Sequence, residues 1–73
     1  MSTVTTSKLQ VSFGKNIKSR RAALGLSQVT LAARIGIRQG TLSDIEHGLH
    51  APTLTTVERV AKALKVPAKA LLS

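Results

Sequence analysis

The chain contains no cysteine, no tryptophan and no tyrosine, and a single phenylalanine among its 73 residues. Without cysteine there can be no disulfide, no thiolate metal site and no thiol nucleophile. The absence suits a reducing compartment without proving one. Acidic residues are nearly as scarce: three Asp and Glu stand against eleven Lys and Arg, for a formal charge of +8. With three acids and two histidines, no nucleophile–base set or metal cluster stands at a usable spacing, so neither enzymatic activity nor a cofactor is expected. His47 and His50 flank Gly48 and lack a third ligand. No apolar run approaches the ~20 residues that span a bilayer, and no secretory leader is visible, so an intracellular protein is the default expectation.

What remains is an aliphatic core and a large positive charge. Apolar residues make up 42% of the chain, mostly Ala, Leu, Val and Ile, which is enough for a core and too much for a disordered tail. A domain of this size without staples relies on helix packing, with dimerisation as a further source of stability. The charge makes a polyanion the expected partner, because neutralising phosphates releases condensed counterions. Two plainer readings compete: a basic protein with no anionic partner, and one drawn to an anionic membrane surface. The membrane reading needs an amphipathic basic helix with an unused apolar face, whereas the helices expected here spend theirs on the core.

Local signals divide the chain. Residues 1–11 (MSTVTTSKLQV) are rich in Ser and Thr, lack a sustained helical period and read as a flexible N-terminal arm; residues 12–73 read as the folded domain. Ser12 is the expected N-cap of a first helix with Phe13, Ile17 and Leu24 on its inner face, and Gly25 the expected stop. Ser27 opens a second helix through Ile35 that buries Leu31, Ala32 and Ile35, and Gly36 ends it. After Ile37 and Arg38 comes a third helix over residues 39–47, with Leu42 and Ile45 inward and Gly48 as terminator. A loop over residues 49–52 leads to a fourth helix opened by Thr53 or Thr55, whose inner face is Leu54, Val57, Val60, Ala61 and Leu64. Val66 and Pro67 break it, and a last short turn ends at Leu71 and Leu72. The expected fold is therefore all-α, a compact bundle of about five short helices.

Residues 28–47 carry the most specific spacing. Two short helices meet at a tight turn with Gly36 at its corner, a small Ala32 at their crossing, and Ile37, Leu42 and Ile45 packing the corner inward. The outer face of the third helix is left to project. The segment SQVTLAARIGIRQGTLSDIEHG (residues 27–48) resembles the helix-turn-helix of the phage Cro and repressor family, the XRE-like transcriptional regulators. Phe13, Gly14, Ile17 and Arg21 resemble the family's first helix, LGLSQ (residues 24–28) its junction into the second, and APTLTTVERVAKALKV (residues 51–66) its fourth. The resemblance implies a lambda-repressor-like domain that binds double-stranded DNA in the major groove. It implies a prokaryotic or phage regulator, a repressor acting as a homodimer on a palindromic operator, located in the cytoplasm at the nucleoid.

By that resemblance the third helix reads bases near its N-terminus. Gln39, Gly40 and Asp44 fall at the main reading positions, with Arg38, Thr41 and Ser43 beside them. Gln39 suits adenine N6 and N7; Arg38 suits guanine or a phosphate; Thr41 offers a methyl to thymine or a hydroxyl to the backbone. Asp44 either accepts from a cytosine amino group or is satisfied by a neighbour such as Arg38. Two positions depart from the family: Gly40 removes a side chain where a reader is common, and Arg38 replaces the usual capping Ser or Thr. Phosphate contacts are expected from Ser27 and Gln28 at the start of the second helix and from His47, whose plainer reading is exposure beside a C-cap. Arg20, Lys18 and His50 are weaker candidates. Arg21 and Glu46 match a family ion pair between the first and third helices, which would orient the recognition helix and hold Arg21 near phosphate. The fold also serves protein-binding modules such as antitoxins, so a protein partner is the alternative. Leu49, Leu71 and Leu72 are the apolar residues the core accounts for least, and Leu71 and Leu72 are the expected dimer contact.

Overall fold

Each helix boundary traces to an identifiable side chain or backbone turn. The computed structural model describes residues 7–72, which form five α-helices: α1 (Lys8–Ala23), α2 (Gln28–Ile35), α3 (Gln39–Glu46), α4 (Leu54–Leu64) and α5 (Ala68–Leu72). Ser7, Ser27 and Thr53 cap α1, α2 and α4, their hydroxyls accepting from the backbone N–H of Gln10, Thr30 and Thr56 at 3.0, 3.0 and 3.1 Å. Thr53, not Thr55, thus opens α4.

The first helix begins earlier than expected. Ser7 is its cap, Ser12 lies inside it, and residues 8–11 are helical rather than part of an arm. No apolar period marks this first turn because part of what ties it down is polar: the Gln10 side chain donates to the Gly48 carbonyl at 2.9 Å. The remainder of the expected arm, residues 1–6, lies outside the described residues.

The first four helices close with one shared backbone motif. In α1, α2, α3 and α4 in turn, Leu26, Ile37, Leu49 and Val66 donate back to the carbonyls of Arg21, Ala32, Asp44 and Ala61. The left-handed residue before each is Gly25, Gly36, Gly48 or Lys65, with φ of 70°, 75°, 75° and 60°. Glycine fits three of these turns without strain, while Lys65 adopts the conformation at a cost. Leu26, Ile37 and Val66 fold back against the core. Leu49 does not, and stays 72% exposed.

The core gathers Phe13 and Ile17 of α1, Leu31, Ala32 and Ile35 of α2, Leu42 and Ile45 of α3, Val57, Val60, Ala61 and Leu64 of α4, and Leu71 of α5. Three expectations fail. Leu24 is 48% exposed, because it is the C-cap residue and the turn that follows tucks Leu26 inward instead. Leu54 is 83% exposed; it lies in the first turn of α4, roughly 70° round the helix from the centre of its buried stripe. Leu71, expected at a dimer contact, is fully buried, and the Asn16 amide donates to its carbonyl at 2.8 Å, fastening α5 to α1.

Gly14 sets how closely α3 lies on α1. A Cβ there would collide with the Ile45 carbonyl and stand 2.8 Å from the Glu46 carbonyl oxygen. Only a residue without a side chain allows that approach. Among the described residues, no helix is long and apolar enough to cross a membrane.

Candidate nucleic-acid interface

Helices α2 and α3 are eight residues each, and both spend one face on the core. The turn between them is Gly36, Ile37 and Arg38, with Gly36 left-handed and Ile37 packed inward, so α3 leaves the corner at a fixed angle. Its buried face is Leu42, Ile45 and Glu46. On the opposite side Gly40, Asp44 and His47 are exposed; Gln39 is exposed at the edge of the buried face, almost in line with Glu46 two turns on; Thr41 and Ser43 are half-buried, and Arg38 is exposed at the N-cap position. All six residues expected to read bases therefore lie along α3 or at its start.

The two helix N-termini differ in how they are finished. Ser27 caps α2 and passes its own hydrogen to the Thr30 hydroxyl at 2.9 Å. The N–H groups of Gln28 and Val29 have no acceptor within the helix and are available to an anion. Arg38 makes no side-chain cap bond, so the first-turn N–H groups of α3 are likewise open. At Gly40 a Cβ would meet nothing within 4 Å. Packing within the chain thus does not require glycine there.

Beneath this face lies a polar network. Arg21 grips both oxygens of Glu46, with Nε to Oε2 at 2.7 Å and Nη2 to Oε1 at 3.0 Å, and its Nη1 donates to the Leu26 carbonyl at 2.9 Å. The Glu46 side chain is 1% exposed and that of Arg21 14%. Burial works against ionisation of Glu46, but hydrogen bonds from Arg21 and Gln28, helped by the charges of Arg21 and Lys18, outweigh it and hold the carboxyl below its usual range. The hydrogen bond to Glu46 correspondingly raises Arg21 above its ordinary value against a desolvation penalty. The expected tie between α1 and α3 is present, in bidentate form.

Gln28 and Gln39 join the same network. Gln28 Nε2 donates to Glu46 Oε1 at 2.9 Å, and Gln39 Nε2 donates to Gln28 Oε1 at 3.1 Å. From sequence, Gln28 is expected to anchor phosphate and Gln39 to read a base, with nothing to connect the two. They are hydrogen-bonded to each other. No sequence signal joins them: the short turn links the end of α2 to the start of α3, and only the crossing of the folded helices brings Gln39 to Gln28.

The remaining candidates are scattered around this face. His47 Nδ1 donates to the Ser43 carbonyl at 2.7 Å. Lys18 and Arg20 are exposed on α1, and His50 is exposed in the loop after α3. Asp44 has no ion-pair partner: among the described residues the Arg21–Glu46 pair is the one salt bridge, so Arg38 does not neutralise Asp44. No group of three or more His, Asp or Glu side chains among the described residues could hold a metal.

Comparison with known proteins agrees with this geometry. The helix-turn-helix family pattern matches residues 17–71, which covers α2, α3 and α4 whole, the second half of α1 and α5 to Leu71. The chain belongs to the helix-turn-helix family. Within it, an uncharacterised HTH-type transcriptional regulator of Methanothermobacter thermautotrophicus is 40% identical over 48 residues, covering 66% of this chain and 70% of that protein. The control protein C.BamHI of Bacillus amyloliquefaciens is 32% identical over 68 residues, covering 92% of this chain and 84% of its own. Among solved structures, the biofilm master regulator SinR in complex with DNA superposes with a TM-score of 0.79 at 34% identity, covering 84% of this chain and 98% of that one. Other relatives are longer, and the chain spans 41% of a phage immunity repressor. Helix-turn-helix regulators bind DNA, and this chain is a DNA-binding transcriptional regulator of that kind.

Proposed function

We propose that the protein reads a specific double-stranded sequence through α3 in the major groove and acts as a repressor, as a homodimer on a palindromic operator. The observation that carries this is the projecting face of α3, polar along its length and supported from beneath by the Arg21–Glu46–Gln28–Gln39 network. Its open first turn, and that of α2, suit phosphate, and a charge of +8 supplies the long-range attraction. Gln39, Asp44, Arg38, Thr41 and Ser43 face the bases, with Gly40 allowing close backbone approach. Gln28, Val29 and Ser27 at the start of α2, and His47, face the phosphates; Lys18, Arg20 and His50 add general attraction. Arg21 acts mainly as the partner of Glu46. Two such units on one side of the duplex would lie about 34 Å apart, one helical turn. Of the two leucines expected at the dimer contact, Leu72 remains available at 38% exposure. Such a protein works where the chromosome is, in the cytoplasm at the nucleoid, and no catalytic role is assigned to it.

The test is selection from a random duplex library at moderate salt, followed by sequencing. An enriched inverted repeat supports specific binding and reports the half-site spacing. Retention without a motif would contradict it. That outcome favours the second reading, a module that binds a protein partner. What speaks for it is an apolar groove between the start of α1, the loop before α4 and the end of α5, where Leu9, Phe13, Pro52, Leu54 and Leu72 meet.

A further inference from the structure

We propose that Glu46, though buried and remote from any base, fixes which way round Gln39 presents its amide, and is thereby a positioning residue for base specificity. The inference rests on Gln39 being a base contact. It begins with the chemistry of a carboxylate, which accepts hydrogen bonds and donates none. Whatever faces Glu46 Oε1 must be a donor, so Gln28 can present only its Nε2 there, and does so at 2.9 Å. Its Oε1 is then turned away from Glu46 and can only accept. The atom of Gln39 that reaches it must again be Nε2, found at 3.1 Å. Two amides that could each have been placed either way are thus ordered by one charge.

The consequence lies at the outer end of the chain. Gln39 has one Nε2 hydrogen committed to Gln28, leaving one N–H donor and the Oε1 acceptor, in one fixed order. Adenine shows a donor at N6 beside an acceptor at N7, which this remainder matches; guanine shows acceptors at both O6 and N7. Against guanine the ordered amide sets Oε1 facing an acceptor. An unordered Gln39 could turn its whole NH2 group toward guanine and escape that penalty. The polarity is anchored because Arg21 holds both Glu46 oxygens, at 2.7 and 3.0 Å, so the carboxylate cannot swing away from Gln28.

The experiment uses the full chain, the selected duplex, and a second duplex with guanine in place of the adenine under Gln39. Affinities are read by fluorescence anisotropy and folding by circular dichroism. The unchanged protein should prefer adenine by about tenfold or more, within the range of one bidentate base contact. Gln28→Met keeps the Arg21–Glu46 pair but cuts the chain of amides. Its adenine-to-guanine ratio should fall to about threefold or less, like that of Gln39→Ala. Glu46→Gln should lower the ratio as well, since an amide there can face Gln28 with either atom; if that variant does not fold, Gln28→Met decides alone. A Gln28→Met protein that weakens equally on both duplexes, with its ratio unchanged, overturns the proposal and leaves Gln39 as an independent reader. An unchanged protein with no preference for Gln39→Ala to remove overturns the base-contact reading, and the proposal with it.

Discussion

Two ends of this small molecule are finished by different physics. Along α2 and α3 the surface side chains are tied to one another and to a buried charge: Arg21, Glu46, Gln28 and Gln39 form one continuous run of hydrogen bonds. At the other end, where the start of α1, the loop before α4 and the end of α5 meet, Leu9, Leu54 and Leu72 remain partly or largely exposed around an apolar groove. Hydrogen bonds are directional and fix which atom points where; apolar contact fixes only that surfaces meet. The first kind of surface can discriminate between base edges. The second can adhere without reading.

Substitutions at the two ends should separate them. The largest effect belongs to the buried pair. Arg21→Ala strands a carboxylate with almost no access to water and should cost about 3 kcal/mol or more in urea unfolding, with DNA binding lost alongside. Because Glu46 is held below its ordinary range, its contribution is fully present above the ordinary carboxylate value of the unfolded chain and fades as the pH falls from there toward the lower folded value. Glu46→Gln should flatten that part of the acid-unfolding curve; an unchanged acid limb would show that the pair does not support the fold.

Next comes α5. Leu71→Ala opens the core and should cost about 3 kcal/mol, whereas Leu72→Ala should cost less than 1. A dimer contact is therefore tested by Leu72 alone, reading oligomeric state by sedimentation. Equal destabilisation by the two would contradict the burial of Leu71. Gly40→Ala should stabilise the free protein by about 1 kcal/mol, since the added methyl meets nothing in the chain. If backbone at Gly40 approaches the groove closely, the same change weakens DNA binding while raising the melting temperature. The smallest effect is expected of Leu54→Ser, within about 0.5 kcal/mol, because that side chain already lies in solvent.

The same contrast explains what could be read from the chain. Gly25, Gly36 and Gly48 each tolerate the left-handed turn that ends a helix, so the limits of α2 and α3 were legible, as was the pairing of Arg21 with one of only three acids. Periodicity did less well at the apolar end. It places Leu54 and Leu24 in the core although they stay 83% and 48% exposed, and it leaves out Leu71, whose five-residue helix is too short to show a period. The first turn of α1 escaped notice because its tertiary tie is the Gln10 amide rather than an apolar stripe. The link between Gln28 and Gln39 joins two helices and exists only once the turn at Gly36 has brought them together.

The most direct test of which end faces DNA is an amide-resolved NMR titration of the labelled protein with its selected duplex at moderate salt. If α3 lies in the groove, the backbone signals of Gln28, Val29 and residues 39–44 move, together with the side-chain amides of Gln28 and Gln39. Signals confined to Leu9, Leu54 and Leu72, with α3 unmoved, would contradict a DNA-reading role for that helix.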